Sequence, residues 1–215
     1  MNWLNGVAFS IFGQHVLWTD MVGNLLGLAA LALGWHRSIW SWPAQLLSGV
    51  VLFAAFASGH LSGLAGKQVI VVVTAVWGWI QWQRGRRDTG EIRVRFASWA
   101  ERAVLVGATA AATVGLALLF EHYTWMSWSP WSDAYIFTGT LAAMVAQARG
   151  RVEFWIAWIA VDVVGVPLAF ENGYAFSGLT YSIYFVLVLL GLRAWWLRSR
   201  TPRTSSAPTL QGVTA

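Results

Sequence analysis

The 215 residues are 57% hydrophobic and 11% charged, with a formal net charge of +5 and no cysteine. A soluble domain needs about a quarter of its residues charged to wet its surface, whereas apolar residues in long blocks are what a bilayer demands. Disulfide and thiolate–metal chemistry are excluded, and nucleic-acid binding is disfavoured because the arginines sit at the ends of apolar blocks, not on an interleaved basic–aromatic surface.

In chain order, residues 1–19 mix Gln14 and His15 with Trp3, Phe9, Phe12 and Trp18, and predict an interfacial helix. No basic n-region followed by a small-residue cleavage pattern marks a secretory leader. Apolar spans follow at Met21–Trp35, Trp40–Ser58 and Lys67–Trp82, forming a first three-helix unit over 20–84. Residues 85–132 supply a basic loop, a linker span at Ala103–Phe120 and an external loop. A second three-helix unit over 133–197 holds spans at Ala134–Ala148, Phe154–Phe170 and Phe176–Leu197. Several spans fall short of the ~20 residues of a typical crossing, and flanking Trp side chains extend them. The tail, 198–215, is polar and rich in small residues, and is expected to be disordered.

Seven crossings put the termini on opposite sides. Arg37, Arg84, Arg86, Arg87, Arg93, Arg95, Arg102, Arg149, Arg151, Arg193, Arg198, Arg200 and Arg203 then share one side, with only Lys67 on the other. The positive-inside rule makes the arginine side cytoplasmic, the N-terminus external and the C-terminus cytoplasmic.

A single offset aligns the first three spans with the last three. Asp20 pairs with Asp133, Leu28-Ala29-Ala30 with Leu141-Ala142-Ala143, Trp42 with Trp155, Val50-Val51 with Val163-Val164, Gly78 with Gly191, and Trp82 with Trp195. One linker span between them makes the two units run in the same direction. The expected fold is therefore an all-α integral membrane protein of seven helices, arranged 3+1+3 as parallel repeats. That plan suits a carrier with its site near the midplane between the halves.

Polar side chains within the spans are few, and each is costly in hydrocarbon unless it faces a partner or a cavity. Asp162 is the one acidic residue deep in a span, and no Lys or Arg lies at its depth. It serves either as an acceptor for a solute or as a protonated tie between helices. Trp155, Trp158 and Asp162 stand at i, i+3 and i+7, along one helix face. Two indoles and an acceptor suit a flat heteroaromatic ring joined to a polyol, although Trp in membrane proteins commonly marks the interface. Interfacial placement accounts for Trp40, Trp82, Trp99, Trp125, Trp128, Trp131, Trp195 and Trp196. Gln68, Trp77 and Trp79 on the third span and Tyr181 and Tyr184 on the seventh form the other candidate wall. Asn24 and Gln45 complete the substrate-binding set. Pro43 and Pro167 can free backbone carbonyls, and Pro43 can equally open its helix.

An intramembrane enzyme is disfavoured. His15, His36, His60 and His122 lie near span ends, and no paired carboxylates occur at depth. No Walker A pattern is present, because Leu61 stands where the first Gly before Gly66-Lys67 would be needed. No catalytic residue, metal ligand or cofactor is assigned.

Trp155-Ile-Ala-Trp158-Ile-Ala-Val-Asp162 resembles the paired-Trp motif, ending in Asn or Asp, of the PnuC-type vitamin transporters. Gln68 followed by Trp77-Gly78-Trp79 and Trp82 resembles their third-helix pattern, with Trp77 where Tyr is usual. The resemblance runs from Asp20 to Trp196. Met1-Asn2-Trp3-Leu4-Asn5, Trp128-Ser-Pro-Trp131-Ser-Asp-Ala-Tyr135 and Val164-Gly-Val-Pro-Leu-Ala-Phe170 look most like its actinobacterial riboflavin-transporting branch. It implies riboflavin uptake across the plasma membrane by facilitated diffusion, with trapping by phosphorylation inside the cell, and a homotrimeric assembly. A nicotinamide riboside transporter is the alternative within the family, and a receptor without transport is the alternative outside it.

Overall fold

The computed structural model describes residues 6–11, 13–58, 62–89, 94–124, 127, 129–171 and 175–200. Met1–Asn5, Trp125, Trp128 and residues 201–215 of the expected tail lie outside them, while residues 198–200 of that tail are helical.

The expected N-terminal helix is instead a β-hairpin. Strands β1 (Val7–Ile11) and β2 (Gln14–Leu17) pair antiparallel, with Phe9 opposite Val16 and Ile11 opposite Gln14. Val7, Phe9 and Ile11 alternate with small residues, a period-two pattern, and Gly13 turns the chain with φ +75°. Those local signals outweigh the scattered polarity that suggested an interfacial helix. The hairpin leads straight into the first helix, where the Trp18 N–H donates to the Gly6 carbonyl at 3.1 Å.

Seven helices follow among the described residues: α1 (Trp18–Trp35), α2 (Ser41–Ser58), α3 (Ser62–Thr89), α4 (Trp99–His122), α5 (Pro130–Ala148), α6 (Glu153–Glu171) and α7 (Ala175–Arg200). Trp99–His122 and Leu179–Leu197 are each long and apolar enough to cross a membrane by length and composition. Pro43 falls in the first turn of α2, where a missing N–H costs nothing, and Pro167 lies inside α6. The α4 N-terminus carries a capping box. Ser98 accepts from the Glu101 N–H at 3.2 Å, and Glu101 accepts from the Ser98 N–H at 2.8 Å.

Neighbours in sequence pack together: α1 on α2, α2 on α3, α5 on α6 and α6 on α7. Two further contacts join the sets, α3 against α5 and α7 against α1, while α4 packs on α5. Within α4 only Ala117 is buried, and Trp99, Val104 and Val106 stay exposed.

The turns after α1 and α5 match bond for bond. Each helix closes with two bonds from the residues just beyond its cap: Arg37 to Gly34 and Ser38 to Leu33 after α1, Gly150 to Gln147 and Arg151 to Ala146 after α5, all at 2.9 Å. Arg37 (φ 55°) and Gly150 (φ 64°) occupy the left-handed position this closure requires. The core repeats as well. Trp42 meets Trp82 edge-on at 5.5 Å and 88°, and Trp155 meets Trp195 at 5.7 Å and 84°. Each first ring lies on a glycine of the next helix, Trp42 on Gly78 and Trp155 on Gly191, where an added Cβ would overlap the indole.

Trp82 and Trp195 correct the expectation of interfacial indoles. Both are buried, and each reaches across to the other set of helices. Trp82 Nε1 donates to the Gln147 carbonyl at 2.9 Å, and Trp195 Nε1 to the Trp35 carbonyl at 3.1 Å. The carbonyls they take stand at helix C-termini, which lack intrahelical donors. Trp40, Trp99 and Trp131 remain exposed, as interfacial residues do.

Candidate functional site

Polar groups gather where α1, α2 and α7 meet. Gly27 on α1 has no side chain, and the Tyr184 hydroxyl from α7 occupies the space that a Cβ there would need. That hydroxyl donates to the Asn24 carbonyl at 2.9 Å. Close by, the Ser48 hydroxyl on α2 donates to the Gly23 carbonyl at 2.8 Å, and its Oγ lies 3.7 Å from the same Gly27 position. Gln68 on α3 is buried, with Oε1 facing Gly49 across the α2–α3 contact. Gln45 stands one turn before Ser48 on α2, on the same face and half-buried.

Asp162 comes from α6 and is 7% exposed. Its Oδ2 is enclosed and accepts no hydrogen bond among the described residues. The carboxyl and Tyr181 both lie within electrostatic reach of the Tyr184 phenol. A buried carboxyl without a donor is expensive, so this atom holds acceptor capacity that a hydroxyl or imide N–H of a solute could fill. Tyr135 helps to hold α6 in place, donating its hydroxyl to the Ala160 carbonyl at 2.8 Å. Val161 rests on Gly139 of α5, so the helix on which Asp162 is mounted is closely seated.

Tyr184 and Asn24 meet through the Asn24 carbonyl, Asp162 lies within electrostatic reach of Tyr184 from α6, and Gln45 and Gln68 stand on α2 and α3. Other predicted residues go elsewhere. Trp155 shares the α6 face with Trp158 and Asp162, but its ring is wholly buried on Gly191 and Trp195, because the missing side chain at 191 leaves an indole-sized space. Trp158 is half-buried at the edge of that core, as is Trp77. Tyr181 is exposed. Trp79 lines a different space, a cleft of about 600 Å³ at the arginine-bearing end of α3, with Trp40, Pro43, Gln83, Arg86 and Arg87.

Ser48 and Thr180, both buried, were not among the predicted residues. Helical spacing could have found them, since Ser48 follows Gln45 by three residues and Thr180 precedes Tyr184 by four.

The arginine-bearing helix ends are joined by a polar clamp. Arg95 and Arg151 bridge through the backbone, with Arg95 N–H donating to the Gly150 carbonyl at 3.0 Å and Val152 N–H to the Arg95 carbonyl at 3.2 Å. Glu153 accepts from the Ala97 N–H at 3.0 Å and from Arg102 Nε at 2.8 Å. Glu101 pairs with Arg151 and, at 3.6 Å, with Arg95. The capping bond from the Ser98 N–H, followed by Arg151 and Arg95, holds the Glu101 carboxyl below its ordinary value, against the opposing effect of burial.

The profile of a family described as nicotinamide mononucleotide transporter matches residues 17–197. The chain is 59% identical to the riboflavin/roseoflavin transporter RibM of Streptomyces davaonensis over 217 residues, covering all of both chains. It is 24% identical to the nicotinamide riboside transporter PnuC of Escherichia coli, over 91% of each chain. A crystal structure of the vitamin B3 transporter PnuC superposes with a TM-score of 0.69 at 18% identity, covering 85% of this chain and 82% of that one. This last likeness bears on the fold alone.

Proposed function

This chain belongs to the nicotinamide mononucleotide transporter family, and we propose that it is a carrier of riboflavin, working by facilitated diffusion. It is a multi-pass protein of the cell membrane. The observation that carries the choice of vitamin is the full-length likeness to the Streptomyces riboflavin/roseoflavin transporter. The buried, donor-seeking Asp162 near Tyr184 and Asn24 supports a midplane site for a solute bearing both a ring and hydroxyl groups.

In this reading Asp162 accepts a hydroxyl or imide hydrogen, and Trp158 offers a stacking face. Tyr184 and Asn24 shape the α1–α7 wall, with Gln45, Gln68 and Trp77 on the facing helices. Trp155 sets the position of α6 against α7, and Tyr181 and Trp79 line the routes in and out. The chain forms two parallel three-helix repeats joined by α4, with the N-terminus outside and the C-terminus in the cytoplasm. That arrangement is supported by the matched turns, the matched Trp–Gly seats and the reciprocal Trp82 and Trp195 bonds. Assembly as a homotrimer belongs to the same reading, with the exposed faces of α4 available to a neighbouring copy.

Protein reconstituted in liposomes tests the function. Riboflavin influx should saturate, and nicotinamide riboside should compete weakly. Replacing Asp162 by Ala should weaken riboflavin binding by about 1.5–3 kcal/mol, the worth of a hydrogen bond to a charged group. Tighter binding and faster flux of nicotinamide riboside would transfer the assignment to that vitamin. Tight riboflavin binding without flux would make the protein a receptor.

A further inference from the structure

Apart from Trp79, the residues of the cleft at the end of α3 take no part in the reading above, and they form a distinctive set of groups. Arg86 and Arg87 project at its mouth, and neither forms an ion pair among the described residues. Trp40 and Trp79 flank it, Gln83 adds hydrogen-bonding capacity, and Trp40 is 67% exposed. One side of the cleft continues along α3 as an apolar stripe. Val73, Val76, Ile80, Gln83 and Arg87 recur at alternating steps of three and four, which is one helix face. Val73, Val76 and Ile80 are all exposed, Val73 by 62%. On α2 the opposite side continues from Pro43 to Leu47 and Val50, both exposed.

Two guanidiniums and two indoles thus stand at one end of an uncovered apolar groove between packed helices. From Val73 to Gln83 is about 15 Å along the helix, close to half of a hydrocarbon core about 30 Å thick. A free phosphate would use the guanidiniums and leave the groove empty. A zwitterionic lipid would fill the groove but bring no net charge to the guanidiniums. Only an anionic glycerophospholipid matches both parts, with its phosphate at Arg86 and Arg87, its glycerol region between the indoles and an acyl chain along the stripe.

We propose that the α2–α3 cleft is a specific site for an anionic phospholipid of the leaflet that faces the arginine-bearing helix ends. The proposal rests on the membrane placement of this family and not on the identity of the vitamin. Bound lipid there would brace the start of α2 against the end of α3.

The test is native mass spectrometry of full-length protein in detergent, mixed with phosphatidylglycerol and phosphatidylcholine of equal chain length. Phosphatidylglycerol should be retained about tenfold more than phosphatidylcholine. The double variant Arg86→Gln, Arg87→Gln should lose that preference and still bind riboflavin, which shows that it is folded. Arg84→Gln, which removes one such charge outside the cleft, should keep the preference. Ile80→Ser, with both arginines intact, should shorten retention of either lipid. Equal retention of the two lipids, an unaffected double variant, or an equal loss in Arg84→Gln would overturn the proposal. Displacement of the lipid by millimolar glycerol phosphate or flavin mononucleotide would also overturn it, and would make the cleft a site for soluble phosphates.

Discussion

Asp162 and Gly27 show how much one side chain, or the lack of one, decides here. A carboxyl buried among apolar helices calls for a donor, and Asp162 Oδ2 finds none among the described residues. Gly27 matters for the opposite reason, because its bare Cα lets the Tyr184 hydroxyl reach the Asn24 carbonyl. Gly27→Ala should push the phenol away and reduce riboflavin affinity, while Gly27→Ala combined with Tyr184→Phe should recover part of the loss. Equilibrium titration by quenching of flavin fluorescence measures both, and an unchanged Kd in the single variant would remove Tyr184 from the site. Trp158→Ala should weaken binding by about 1–3 kcal/mol, the scale of stacking on an aromatic ring. Unchanged affinity there would leave Trp158 as packing only.

Helices α2–α3 and α6–α7 share one device, an indole seated on a glycine. Adding a methyl group at Gly78 or Gly191 would drive Cβ into the Trp42 or Trp155 ring, which has no room to retreat inside a buried seam. Gly78→Ala and Gly191→Ala should each cost about 1–3 kcal/mol, the usual penalty for overpacking. Denaturation of the purified protein checks this, and the two variants should behave alike because their seats are alike. The turn after α5 offers a smaller effect. Gly150 holds φ 64°, so Gly150→Ala should cost at least about 1–2 kcal/mol through backbone strain.

Across the whole molecule, the clamp of Glu101, Arg151, Arg95, Arg102 and Glu153 ties the α3–α4 loop to the turn between α5 and α6. The Glu101 carboxyl titrates below its ordinary 4.5 in the folded chain. The unfolded chain therefore binds the proton more tightly. The stabilising effect is complete above about pH 4.5 and is lost as pH falls through the lower, folded value. The melting temperature of the purified protein should consequently drop faster below that pH than the melting temperature of Glu101→Gln, which has no charge to lose. Parallel acid profiles for the two proteins would show that Glu101 contributes nothing through its ionisation.

Hydropathy and arginine positions alone were enough to read the seven helices, because a bilayer requires long apolar blocks and leaves charges at their ends. The offset that pairs Trp42 with Trp155 and Gly78 with Gly191 was also legible, since matched packing seats need the same residue types. Alternation in Val7, Phe9 and Ile11 carried the hairpin, but Trp-rich polar surroundings obscured it. Only the tertiary structure separated one tryptophan from another. Trp82 and Trp195 look interfacial by position, yet each crosses to a carbonyl at a helix end in the other set. It also separated Trp155 and Trp79 from the polar group around Tyr184 and Gly27, and added Ser48 to that group. The physical reason is that hydrophobicity and spacing act along a single helix, whereas the neighbours of an indole or a carboxyl depend on which helices meet, and on where a glycine lets them approach.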